Sequence, residues 1–116
     1  MNEELRLQLL RQLTESPDLS QRELAQRLGL SLGKTNYCLR ALIDKGWVKV
    51  NNFRASPRKL AYAYLLTPSG IEAKARLTVN FLRRKVAEYE MLKREIEELQ
   101  AEAEAARRRP DQRMEG

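Results

Sequence analysis

Between Ile71 and Arg109 the chain contains neither glycine nor proline, and its apolar residues return at alternating intervals of three and four. One series runs Ala75, Leu82, Tyr89, Ile96 and Ala103; the other runs Thr78, Lys85, Leu92, Leu99 and Ala106. Two interleaved seven-residue series held in constant register describe a coiled-coil helix rather than a short packed one. Such a helix cannot bury its own seam, so a second copy of the chain is its simplest partner. Leu82, Tyr89, Leu92, Ile96 and Leu99 are the expected dimerisation residues. Lys85 sits inside the seam, where it lowers stability and sets register or partner number. Phe81 and Val86 widen the stripe at its start, so that end is expected also to pack on what precedes it. Further along, Glu88, Lys93, Glu95 and Glu102 flank the seam. Glu88 and Lys93 suit pairing between parallel chains, although one such pair is worth little and the strand direction stays open.

The helix leaves only about seventy residues ahead of it, enough for one small domain. We therefore divide the chain into a globular domain at 1–70, a dimerisation helix at 71–109 and a disordered tail at 110–116. Composition narrows what such a domain does. The 116 residues carry a formal charge of +6 and no histidine, so the commonest general base and metal ligand is missing. There is one cysteine, Cys38, which excludes an internal disulfide and a cysteine-cluster metal site. No nucleophile-plus-base arrangement and no glycine-rich phosphate loop is present, so we expect no enzyme, no cofactor and no metal. The amino terminus, MNEELRLQLLRQL, is charged throughout and does not read as a signal peptide. No apolar run approaches the roughly 20 residues needed to cross a bilayer. A cytoplasmic protein without a membrane partner is expected.

The positive charge is concentrated. Lys34, Arg40, Lys45, Lys49, Arg54, Arg58 and Lys59 lie between Ser31 and Leu60, opposed only by Asp44. From Ile71 onward eleven basic residues face ten acidic ones. A basic segment beside a neutral one is the footprint of a module that binds a polyanion.

Taken in order, Leu5, Leu9, Leu10 and Leu13 place a helix from about Glu3 to Ser16, stopped by Pro17 and Asp18. Ser20 to Glu23, SQRE, reads as a capping box, with Leu19 and Leu24 placed to staple it. That second helix continues through Leu28 to Gly29, a natural terminator. Leu30 alone then separates it from Ser31, the cap of a third helix, and so tight a turn between short helices is a helix-turn-helix. In the third helix Thr35, Cys38, Leu39, Leu42 and Ile43 fall on the core side, which makes Cys38 a buried thiol. Leu32, Gly33, Lys34, Asn36, Tyr37 and Arg40 fall on the other side. Glycine in the first turn costs helix stability, and a cation there opposes the helix dipole. Rules broken locally without local gain mark a working surface, and a helix start bearing lysine suits a phosphate. Taken alone, the same helix reads equally well as an ordinary surface helix with an unremarkable lysine.

After Gly46 the period changes to that of strands, in WVKVNNF and AYAYLLT, with RASPRKL between them. Ser56-Pro57 marks the turn of a hairpin whose tip is basic, a wing. Its cations are either DNA contacts or charges that protect a solvated edge from aggregation. Thr67 and Pro68 then restart a helix as cap and first residue. The fold class is mainly α with a small β-hairpin: a winged helix-turn-helix domain followed by a long C-terminal coiled-coil helix.

The words LSQRELAQRLGLS, ALIDKGWVKV and AYAYLLTPSGIEAKA give the chain a resemblance to winged-helix transcriptional regulators of the MarR-like type. From Leu19 to about Tyr89 it is similar to the small MarR-family regulators associated with exopolysaccharide biosynthesis genes, most closely in KTNYCLRALIDKGWVK and LAYAYLLTPSGI. The sequence has no long N-terminal dimerisation helix of the kind typical of MarR proteins. Its seven aromatic residues, mostly in the wing, outline no evident effector cavity. The resemblance implies a sequence-specific DNA-binding regulator. Ser31, Gly33, Lys34, Asn36, Tyr37 and Arg40 would meet the major groove and its phosphates, Asn reading adenine and Arg reading guanine. Arg54, Arg58 and Lys59 would reach backbone or minor groove. The partner would be double-stranded DNA carrying an inverted repeat, gripped by a homodimer. The competing reading is a winged-helix protein–protein interaction module acting through its coiled coil.

Overall fold

The computed structural model describes residues 1–56 and 59–108, with the side chains of 53–61 left undescribed. Six elements follow in order: α1 (Glu3–Glu15), α2 (Gln21–Leu28), α3 (Leu32–Asp44), β1 (Val48–Ser56), β2 (Lys59–Leu66) and α4 (Pro68–Arg108). This is the expected class, mainly helical with one antiparallel hairpin. Two compact units emerge, Met1–Asn80 and the stretch from Phe81 onward.

In the first unit the core is made of leucines from three helices closed by the hairpin. Leu7, Leu9, Leu10 and Leu13 of α1 are buried with Leu24 of α2 and Leu39 and Leu42 of α3. Leu7 is an addition to the expected stripe, and Leu5 is only half-buried. The helix ends obey local chemistry. The Leu5 amide donates to the Asn2 side chain (2.8 Å), and the Glu23 amide donates to the Ser20 hydroxyl (3.1 Å). The Glu23 carboxylate returns to that hydroxyl, from which it accepts at 3.0 Å. At the far end of α2, Gly29 adopts φ 66°, and the Leu30 amide reaches back to the Ala25 carbonyl (2.9 Å). Gly46 repeats the device after α3 with φ 80° and a Trp47 amide to Leu42 carbonyl bond of 3.0 Å. Only glycine enters that left-handed region without strain, so both helices stop where their glycines direct.

The hairpin pairs Val48 with Leu66, Val50 with Tyr64 and Asn52 with Tyr62, and its register breaks between Arg54 and Ser56. Val48 and Tyr64 face the core. The Tyr64 amide also donates to the Pro17 carbonyl (3.0 Å), which ties the sheet to the turn between α1 and α2. At its base the Thr67 amide donates to the Trp47 carbonyl (3.0 Å), and the Thr67 hydroxyl donates to the Gly46 carbonyl. The same hydroxyl accepts the Gly70 amide (3.0 Å), so Thr67 caps α4 as expected. Gly70 is there of necessity, since a Cβ on it would lie 2.0 Å from the Trp47 carbonyl oxygen.

Helix α4 buries Gly70, Ala73 and Leu77 in its first turns. In the second unit Leu82, Tyr89, Leu92, Ile96 and Leu99 are 45–61% exposed. Lys85 pairs with Glu88 of its own helix at 3.2 Å and lies over the Phe81 ring. No helix among the described residues is long and apolar enough to cross a membrane. The tail 110–116 lies outside the described residues.

Candidate nucleic-acid interface

Ser31 starts α3, and its hydroxyl accepts the Lys34 amide at 3.1 Å. Its carbonyl accepts both the amide (3.0 Å) and the hydroxyl (2.9 Å) of Thr35. Thr35, Cys38, Leu39 and Leu42 are buried as the periodicity requires, whereas Ile43 is only half-buried and turns to the rim of a cleft. On the opposite side Leu32, Gly33, Lys34, Tyr37 and Arg40 are exposed. Lys34 lies over the Tyr37 ring, 5.6 Å from its centre, although Tyr37 itself stays 63% exposed. A Cβ built on Gly33 meets nothing within 4 Å. The protein's own packing therefore does not require that glycine.

Asn36 behaves differently from the other candidates. It is half-buried, and its Nδ2 donates to Gln21 Oε1 at 3.1 Å. Gln21 Nε2 in turn donates to the hydroxyl of Tyr64 at 2.9 Å. Three elements, α2, α3 and β2, are thus joined by one line of side chains. Neither Gln21 nor Tyr64 stands out in the sequence, because the partners lie 15 and 43 positions apart and no spacing rule links them.

Beside this line, between the start of α2, the middle of α3 and the sheet, lies an open cleft of about 610 Å3. Leu19, Ile43 and Tyr62 supply apolar wall, with Arg40 and Asn36 at the polar edge. The sequence outlined no such cavity, since its walls come from segments far apart in the chain. The wing cations lie outside the described part: Arg58 entirely, Arg54 and Lys59 in their side chains. Elsewhere in the basic segment Lys45 is engaged over the Trp47 ring, 5.1 Å from its centre.

A tight helix pair whose second helix bares a basic, largely polar face, closed by a two-stranded wing, defines the winged helix-turn-helix class. Residues 2–49, under half of the chain, match the family model described as winged helix-turn-helix DNA-binding. Among solved structures the fold is that of MarR-type regulators. A MarR/EmrR family transcriptional regulator from Acinetobacter sp. ADP1 aligns with a TM-score of 0.59 at 20% identity, over 86% of this chain and 75% of its own. A MarR family protein of Mycobacterium tuberculosis gives 0.54 at 28% identity, over 81% and 75%. Staphylococcus aureus MarR gives 0.55 at 21% identity over 71% of this chain, which spans about half (53%) of that protein's length. No curated protein sequence matches the chain.

Proposed function

We propose that the protein is a sequence-specific, MarR-like transcriptional regulator that binds DNA as a homodimer through α4. The exposed face of α3 carries the reading: Gly33, Lys34, Tyr37 and Arg40 stand clear of the core on a helix within the matched DNA-binding domain. Lys34 and Ser31, at the positive end of the helix dipole, meet phosphate. Arg40 and Asn36 read base edges, and Gly33 lets the backbone come close to the duplex. Arg54, Arg58 and Lys59 of the wing add backbone or minor-groove contacts. The exposed heptad seam supports the homodimer, because its large apolar side chains stay about half exposed among the described residues. A twofold pair with recognition helices about 34 Å apart fits an inverted repeat. The resemblance of KTNYCLRALIDKGWVK and LAYAYLLTPSGI to exopolysaccharide-associated regulators supports those biosynthesis genes as the target.

Genome-wide recovery of bound DNA tests all of this together. The expected result is a small set of sites sharing an inverted repeat, upstream of exopolysaccharide genes. Binding without any shared motif would sink the regulator, and a motif elsewhere in the genome would sink only the target assignment. An interaction module acting through the coiled coil would bind DNA weakly and without sequence preference.

A further inference from the structure

We infer that Gln21 is a positioning residue for base reading: through the Asn36 amide it sets which atoms of the recognition helix meet the DNA. The inference rests on the regulator reading above and goes beyond it, since Gln21 itself lies on the other helix of the pair.

Both ends of the line are anchored. Gln21 is the first residue of α2, directly after the Ser20 cap. Tyr64 is only 9% exposed, and its backbone is tied to Pro17. A side chain held between these points, accepting from Asn36 and donating to Tyr64, has little room to turn. An asparagine on an open helix face samples several rotamers and presents either end of its amide to a partner. Here one Nδ2 hydrogen is already committed to Gln21. The other hydrogen and Oδ1 remain, one donor and one acceptor in the amide plane, and a bidentate contact with adenine uses that pair. Gln21 therefore orders Asn36 before DNA arrives and aims it. Because the line ends on β2, the wing strand holds the reading residue of α3 without touching DNA at that point.

Selection of bound sequences from a random DNA pool, followed by affinity measurements, tests this. Wild-type protein is expected to select a site with one strongly preferred base pair per half-site that disappears in Asn36→Ala. Gln21→Ala should flatten that same position while leaving the rest of the site intact. Its affinity should fall about tenfold, within the ~5–150-fold span that one bidentate pair is worth. The double variant should bind no worse than Asn36→Ala, because a residue acting only through Asn36 has nothing further to contribute. Gln21→Glu should restore the preference, since its carboxylate still accepts from Asn36 and accepts from the Tyr64 hydroxyl. Melting temperatures establish that each variant is folded, and Tyr64→Phe reads the far end of the line if Gln21→Ala is not. An unchanged site in Gln21→Ala, an even loss over all sequences, or additive losses in the double variant would each overturn the inference. Absence of any selected site with wild-type protein overturns the regulator reading, and this inference with it.

Discussion

At the scale of single residues, Gly33 separates a working surface from a merely tolerated one. Nothing within 4 Å opposes a Cβ there, so the fold has no use for glycine at that position. Gly33→Ala should raise stability by up to about 1 kcal/mol, the helix-propensity difference, and lift the melting temperature. DNA affinity should drop at least tenfold if the backbone approaches the duplex at this point. Scanning calorimetry and fluorescence anisotropy measure the two effects, and unchanged affinity would leave Gly33 without a role. Arg40→Ala should cost about 1–3 kcal/mol on a selected site and much less on scrambled DNA. Equal losses on both would reduce Arg40 to a phosphate contact. The sequence makes these exposed residues legible because a helix face is a local, periodic property. Gln21 is illegible there for the converse reason: its role depends on a tertiary meeting with Asn36 and Tyr64.

Among the elements, α2 and α3 are readable almost to the residue. Their limits are set by side chains and glycines within one turn, Ser20 and Gly29 for the first, Ser31 and Gly46 for the second. The strands are less so: β1 runs to Ser56 and β2 starts at Lys59, both nearer the tip than the apolar pattern indicates. Backbone pairing continues there past the last residues of the apolar pattern. No sequence pattern distinguishes Gly70, yet it is where the first turn of α4 meets the Trp47 carbonyl. Gly70→Ala should destabilise the domain by about 1–3 kcal/mol, the usual cost of overpacking, seen as an earlier urea midpoint. An unshifted midpoint would mean that the backbone there relaxes freely. For the wing, neutralising Arg54, Arg58 and Lys59 together should flatten the slope of log affinity against log salt by roughly 0.9 for each phosphate they neutralise in the complex. A slope that does not move would make the wing a solvated edge.

For the molecule as a whole the question is the second copy. Each seam leucine or isoleucine left open on a monomer forgoes about 1.5–3 kcal/mol of burial. Charged residues at both Ile96 and Leu99 should therefore yield monomers whose winged domain melts as before and whose operator binding is much weaker. Analytical ultracentrifugation decides: a wild-type monomer at tens of micromolar would refute the dimer. The intrachain Lys85–Glu88 pair, with both partners more than half exposed, weighs little against such a seam. Heptad periodicity is visible in one chain, but the direction of the partner strand is a property of two.

The closure at Gly46, Trp47 and Thr67 has a consequence for how such a protein diversifies. The hairpin enters and leaves through one hydrogen-bonded gate, and Val48 and Tyr64 hold its base to the core, so only the part of residues 48–66 beyond that base is left to vary. Extra residues added in pairs beyond the Arg54–Leu60 pairing preserve the alternation of faces down to Val48 and Tyr64. A lineage can then lengthen, shorten or recharge its wing while the gate keeps the end of α3 and the start of α4 in their places.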